Sequence, residues 1–147
     1  MIEELETEYL GLVLTAFTET EALHLGQILL DLAQGLPVVI NIRSAERVFF
    51  HAALPGSGPM NDAWARRKSN CALFFRLPSL LVGEKNRLKS ETVARHGLST
   101  EDYADHGGSV PIQVKGAGVV AVATVSGLPS IEDHRLVVAG LRQMMKN

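Results

Sequence analysis

The sequence predicts an α+β fold, an antiparallel sheet covered by helices, and three observations carry that prediction. Two pairs of β-rich segments are each separated by only a short turn, a connection open to antiparallel neighbours and closed to parallel ones. Helical patterns with identifiable start signals stand before, between and after those pairs. A doubly wound parallel sheet would need a crossover after nearly every strand, and the chain supplies too few.

The elements follow in order. After a short acidic amphipathic segment, Leu12 to Phe17 is apolar enough for a buried strand. Thr18 with Glu21 forms a capping box, and Ala22, Leu25, Ile28, Leu29 and Leu32 then recur on one helical face up to Gly35. Val38 to Arg43 and Arg47 to Ala53 are rich in β-branched and aromatic residues, with Ser44-Ala45-Glu46 between them, and read as a hairpin. Pro55-Gly56-Ser57-Gly58-Pro59 stops the strand, and Asn61 or Asp62 can cap a helix with Met60, Trp64, Arg67, Cys71 and Phe74 on one side. Ser79 to Arg95 is a weaker helical pattern ended by Gly97, and Ser99 with Asp102 marks a short helix through Tyr103. Ser109 to Val114 and Gly118 to Val125 form a second hairpin around Lys115-Gly116-Ala117-Gly118, giving five strands in total. Ser130 and Asp133 cap a last helix striped with Val137, Leu141 and Met144, and Arg142 and Lys146 suit its negative end.

A chain of 147 residues with no repeat, linker or low-complexity tract is expected to be a single domain over residues 1–147. A domain of that size buries roughly two-thirds of the surface its unfolded chain exposes, so no staple is required. Hydrophobic residues at 46% and charged residues at 20% exclude a disordered or fibrous class. A net charge of −2 offers no broad positive field for a phosphate backbone, so nucleic acid is not an expected partner. Cys71 is the only cysteine, which excludes an intrachain disulfide and points to a reducing compartment. The acidic start Met1-Ile2-Glu3-Glu4-Leu5-Glu6 and the shortness of every apolar run lead to the expectation of a cytoplasmic chain with no membrane partner.

Several residues could carry chemistry. Gly116-Ala117-Gly118-Val119-Val120-Ala121 matches a loose dinucleotide fingerprint, but a valine-rich strand follows where the pyrophosphate would need a helix, so the glycines read as a turn. His24, His51, His96, His106 and His134 show no paired spacing and have one cysteine to join them, so no metal site is expected. His24 falls on the polar side of its helix and His96 beside Gly97. His51, His106 and His134 are the plausible ligands or proton carriers, although each also has a structural reading. Ser57 lacks a nucleophile-elbow frame and Cys71 falls on an apolar stripe, an inert position. Arg66, Arg67 and Lys68 fan out around their helix, a pattern usual for a solvated face, from which Arg66 or Lys68 could meet a carboxylate. Between Ser126 and His134 a strand exit runs into a helix start, a position able to bind an anion, where Glu132 and Asp133 make self-capping the simpler reading.

Taken as an ordered set, these segments resemble the haem-degrading-domain family, in its small GlcG-like branch. The resemblance rests on Leu54-Pro55-Gly56, Asn61-Asp62 with Trp64, and Arg66-Arg67-Lys68-Ser69-Asn70. It continues through the stretch from Asp102 to Ile112, Lys115-Gly116-Ala117-Gly118, Ser126-Gly127-Leu128-Pro129 and Glu132-Asp133-His134. It implies a profilin-like fold with α/β/α layers around a five-stranded antiparallel sheet, and a homo-oligomer. Phe75-Arg76-Leu77-Pro78-Ser79 departs from the branch, where a more polar, serine-containing stretch is usual.

Two functions stay open on these grounds, and neither settles whether the chain is an enzyme. One is an oligomeric module that binds a small molecule or a protein partner without established catalysis. The other binds or degrades haem, with His106, His134 or His51 as axial ligand, in that order, and Arg66 or Lys68 as the propionate partner. Aromatic residues at 5% make a dedicated porphyrin pocket less evident and tilt the sequence reading toward the first.

Overall fold

A computed structural model describes residues 1–146. The elements are α1 (Ile2–Leu10), β1 (Val13–Leu14), α2 (Glu19–Leu32), β2 (Val39–Arg43), β3 (Val48–Ala53), α3 (Pro59–Phe75), α4 (Ser79–Leu88), a 3-10 turn at Val93–His96, β4 (Ser109–Val114), β5 (Gly118–Ser126) and α5 (Ser130–Met145). The five strands form one sheet in the order β1-β4-β5-β2-β3. Both expected hairpins are present, and β5 pairs antiparallel with β2 to join them. The β1–β4 pair is parallel, with Val13 opposite Gln113, so the sheet is mixed rather than wholly antiparallel. Parallel pairing is open to β1 because most of the chain lies between it and β4, which allows a long crossover.

Alternation along β5 separates the two faces of the sheet. Ala121, Ala123 and Val125 join Leu25, Ile28 and Leu29 of α2 and Val137, Leu141 and Met144 of α5 in the main core. Each such large aliphatic side chain contributes about 1.5–3 kcal/mol on burial. Gly140 lets α5 close onto α2, since a Cβ there would come within 2.6 Å of the Leu29 side chain. On the other face Thr124 meets α3, where its hydroxyl lies 2.8 Å from Ser69 Oγ and 2.6 Å from Ser109 Oγ. The helices α2 and α5 thus cover one face and α3 the other, the expected layering.

Four local readings need correction. The first strand is shorter than Leu12 to Phe17, because Lys115 N–H donates to Leu14 O and β4 then turns away, leaving Thr15 onward with no ladder partner. Helix α3 does not bury Met60, Trp64 and Phe74 as a stripe; its inner face is Ala65, Lys68, Ser69, Cys71 and Ala72, and Met60 and Phe74 are exposed. Small residues and hydroxyls bring that helix close to the sheet and rotate the bulky side chains outward. The pattern from Ser79 to Arg95 breaks at Leu88 and resumes only as the 3-10 turn. Ser99 to Tyr103 is one hydrogen-bonded turn rather than a helix, since Ala104 N–H already donates to Arg67 O and fixes the chain against α3.

The cap of α3 forms as a relay in which Asn61 Oδ1 accepts from Gly58 N–H at 2.9 Å. In α5 the Asp133 carboxylate reaches back past Pro129 to the strand exit. No described helix is long and apolar enough to cross a membrane.

Candidate functional site

The cleft with the most chemistry opens where β5 ends and the chain passes from one face of the sheet to the other. Its volume is about 360 Å³, toward the small end of ligand pockets. Helix α3 supplies Met60, Asn61, Trp64 and Lys68, the segment before β4 supplies His106, and the wall from Ser126 to Ser130 leads into Asp133 of α5.

Lys68 forms the floor and is only 3% exposed, which corrects the reading of the basic run as a solvated face. Its Nζ donates to Gly107 O at 3.0 Å, Val125 O at 2.8 Å and Asp133 Oδ2 at 3.2 Å. An ammonium has three protons, and these three acceptors use them. Asp133 is equally occupied, with Oδ1 accepting from Leu128 N–H at 2.9 Å and Oδ2 from Gly127 N–H at 3.3 Å. The pair therefore ties α3 to α5 around the end of the sheet. Burial pushes the Lys68 amine below its usual range and the Asp133 carboxyl above its own, against the attraction each feels for the other. Gly108, at φ 135°, passes so close that a Cβ would strike Lys68 Nζ and Val125 O.

His106 stands at the rim with 48% of its side chain exposed. Its ring meets Trp64 edge to face, with centroids 5.2 Å apart and planes at 81°. Partial burial holds the imidazole below its usual pKa; Asp105 opposes the shift, and Arg87, Arg67 and Lys68 add to it. Arg67 stacks 4.4 Å from the Trp64 ring centroid and donates to Thr100 O, so Trp64 is braced from behind.

The other candidate residues lie elsewhere. Arg66 points away from the cleft to Asp102 Oδ1 at 3.1 Å and Glu101 O at 3.2 Å. His51 is bound at both ring nitrogens: Asn41 Nδ2 lies 3.0 Å from Nδ1, and Asp62 Oδ1 lies 3.0 Å from Nε2. With the amide donating to Nδ1, Nε2 carries the proton given to Asp62, and no lone pair is left over. His134 is buried against α1, with Nε2 2.7 Å from Glu8 Oε1. Its neighbours Met1, Glu4, Leu5 and Leu80 belong to a separate cavity of about 140 Å³. Cys71 is buried and its thiol is pushed up to about 12, as expected of a core residue.

The structure thus brings together two of the five candidates, His106 and Lys68. It adds Trp64, Ser126, Leu128 and Asp133, all of them within the motifs that carry the family resemblance. None of the residues from Phe75 to Ser79 lines the cleft, so the departure there leaves this site unaltered.

Comparison with known proteins agrees with this architecture. The family described as haem degrading protein HbpS-like matches residues 17–142. A UPF0303 protein of Streptomyces coelicolor is 46% identical over 147 residues, covering 98% of this chain and 93% of that protein. Among solved structures, the Ybr137w protein superposes with a TM-score of 0.90 at 30% identity, over 99% of this chain and 88% of that one. A heme complex of PduOC superposes with a TM-score of 0.71 at 16% identity, over 88% of this chain and 94% of that one, a likeness of fold. By the extent of the family match and the identity to its UPF0303 relative, the chain belongs to the family of HbpS-like haem-degrading proteins.

Proposed function

We propose that the chain is a small-ligand-binding module whose site is the cleft between Trp64 and His106, and that haem is its ligand with His106 as the axial donor. The observation that carries this reading is the half-exposed His106 imidazole, edge to face with Trp64 above a floor whose polar groups are already tied down. A ligating imidazole must be neutral, and the surroundings of His106 favour that form at neutral pH. Met60, Leu128 and Pro129 give the cleft apolar sides for a ring. The family's description and the heme complex of a protein of the same fold support the choice of haem.

The residues fit that group in part. His106 is free to hold the iron, whereas Lys68, with every donor engaged, is not free to meet a propionate. When bound, haem would supply redox chemistry at its iron; the protein's part is to ligate through His106, stack through Trp64 and hold the cleft open through the Lys68–Asp133 tie.

Homo-oligomerisation belongs to the same proposal. The sheet ends on β3, an edge strand whose outer ladder has no partner among the described residues, and Val48 is exposed on it.

Haemin titration tests the site. The expected result is a saturable absorbance change at one haemin per chain, accompanied by quenching of Trp64, the single tryptophan. His106→Ala should abolish the spectral change, and above pH 6.5 the wild-type affinity should be flat, weakening only as protons compete for the imidazole below its lowered pKa. Unchanged affinity and spectrum in His106→Ala would refute the assignment.

A further inference from the structure

The cavity beside His134 shares no residue with the cleft at Trp64 and His106. It measures about 140 Å³ and lies between α1, α4 and α5, with Leu5, Leu80 and Ile131 as its apolar walls. The family match begins at residue 17, so the α1 wall comes from outside the matched region. His134 belongs to the polar wall, and its side chain is only 3% exposed. Nε2 lies 2.7 Å from Glu8 Oε1. A carboxylate only accepts, so Nε2 carries the proton of the neutral ring and Nδ1 keeps its lone pair. That Nδ1 is buried and has no hydrogen-bond partner among the described residues. A carboxylate that fixes one ring nitrogen and leaves the other unpaired is the arrangement that orients an imidazole toward a ligand.

We propose that this cavity is a second binding site, for an uncharged ring-sized molecule bearing one O–H or N–H donor, with His134 as the acceptor. A cavity of roughly 150 Å³ takes up benzene, which sets the size. The unmet acceptor calls for a donor on the ligand, since a buried polar atom without a partner costs about 1–3 kcal/mol. The other charges of the wall are already placed, which favours a neutral ligand. Glu8 is shared by His134 and Arg142, Glu4 lies 3.4 Å from the terminal ammonium, and Arg135 is exposed to solvent. The site stands apart from the proposed cleft, because it uses neither Trp64 nor His106.

Phenol and toluene are near-isosteres that differ in the donor, and benzoate supplies the anionic counterpart. Each is titrated into protein labelled with ¹⁵N-histidine and ¹³C-methyl leucine and isoleucine. Phenol should saturate at one per chain, move the methyl signals of Leu5, Leu80 and Ile131, and shift the His134 Nδ1 resonance as a lone pair does on accepting a hydrogen bond. Toluene should move the methyl signals and leave Nδ1 in place. His134→Phe keeps a ring but removes the acceptor, and should lower the phenol-to-toluene affinity ratio about fivefold to tenfold, the scale of one hydrogen bond. Ile131→Phe should close the cavity to both while leaving the response to haemin as in the wild type. An Nδ1 resonance unmoved at phenol saturation overturns the site with no variant required. So would the absence of saturable phenol binding, a ratio unchanged in His134→Phe, phenol binding that survives Ile131→Phe, or benzoate binding in place of phenol.

Discussion

The tie between Lys68 and Asp133 can be tested quantitatively. Lys68→Met keeps the aliphatic stem and removes the ammonium, stranding a buried carboxylate and withdrawing a donor from Gly107 O and Val125 O. Asp133→Asn strands the ammonium instead. Each single change should cost about 3–5 kcal/mol, because a buried charge then lacks its compensating partner. In the double variant neither charge remains, so its cost should fall short of the sum by about 2–3 kcal/mol. Urea unfolding followed by far-UV circular dichroism at neutral pH supplies all four corners of the cycle, and a single transition would accord with one domain. The pH dependence has a definite sign. Asp133 has a folded pKa raised above 3.8, so its contribution to stability is complete below that value and is lost as pH rises through the folded pKa. Lys68 has a folded pKa lowered below 10.5, so its contribution is present above that value and is lost as pH falls through the folded pKa. At neutral pH the pair therefore fixes geometry against a desolvation cost. It follows that the deficit of Lys68→Met should shrink toward pH 4, as Asp133 takes up a proton. A deficit below about 1 kcal/mol, or a strictly additive cycle, would refute the tie.

Two further outcomes follow from the same geometry. Gly108→Ala combines a φ of 135° with a Cβ directed at Lys68 Nζ and Val125 O, and should lose more stability than Gly116→Ala, whose φ of 82° is strained but whose surroundings are open. The backbone term alone is about 1–3 kcal/mol, and equal melting temperatures for the two variants would remove the steric argument. Light scattering at micromolar concentration should show a particle of at least two chains, and a strictly monomeric mass would overturn the oligomer.

Much of the fold was legible because its signals are local. Thr18 with Glu21 and the apolar face ending at Gly35 located α2 to within a residue or two, since a cap and a period of 3.6 are both properties of the chain itself. The turn at Gly116 and Gly118, both at positive φ, was equally plain and correctly separated from a nucleotide fingerprint. What failed was set by tertiary contact. The parallel direction of β1 depends on a partner about a hundred residues away, Gln113 for Val13. The inner face of α3 was misread because it is lined by Ala65, Ser69 and Ala72, side chains too small and polar to register as a hydrophobic stripe.

The site shows the same division more sharply. His106 was legible as a candidate because glycines follow it, and the structure does leave its ring open at the cleft rim. The five histidines could not be ranked further from sequence, because their surroundings are set by distant partners: Asn41 and Asp62 engage both ring nitrogens of His51, while His134 meets Glu8 through Nε2 and keeps Nδ1 buried with no hydrogen-bond partner among the described residues. Lys68 presents the opposite case. Three consecutive basic residues look interchangeable, yet a rotation of about 100° per residue sends Arg66 to Asp102, Arg67 to the back of Trp64, and Lys68 inward to three acceptors. The acceptors are the reason Lys68 tolerates burial, and they come from the glycine turn, the end of β5 and the first turn of α5. Those three pieces are also the ones that shape the cleft. A residue named as a ligand contact on charge alone is therefore better read as the strut that holds the contact surface in place. Trp64 and His106, at the open rim of the cleft, are the side chains that the proposed function assigns to the ligand.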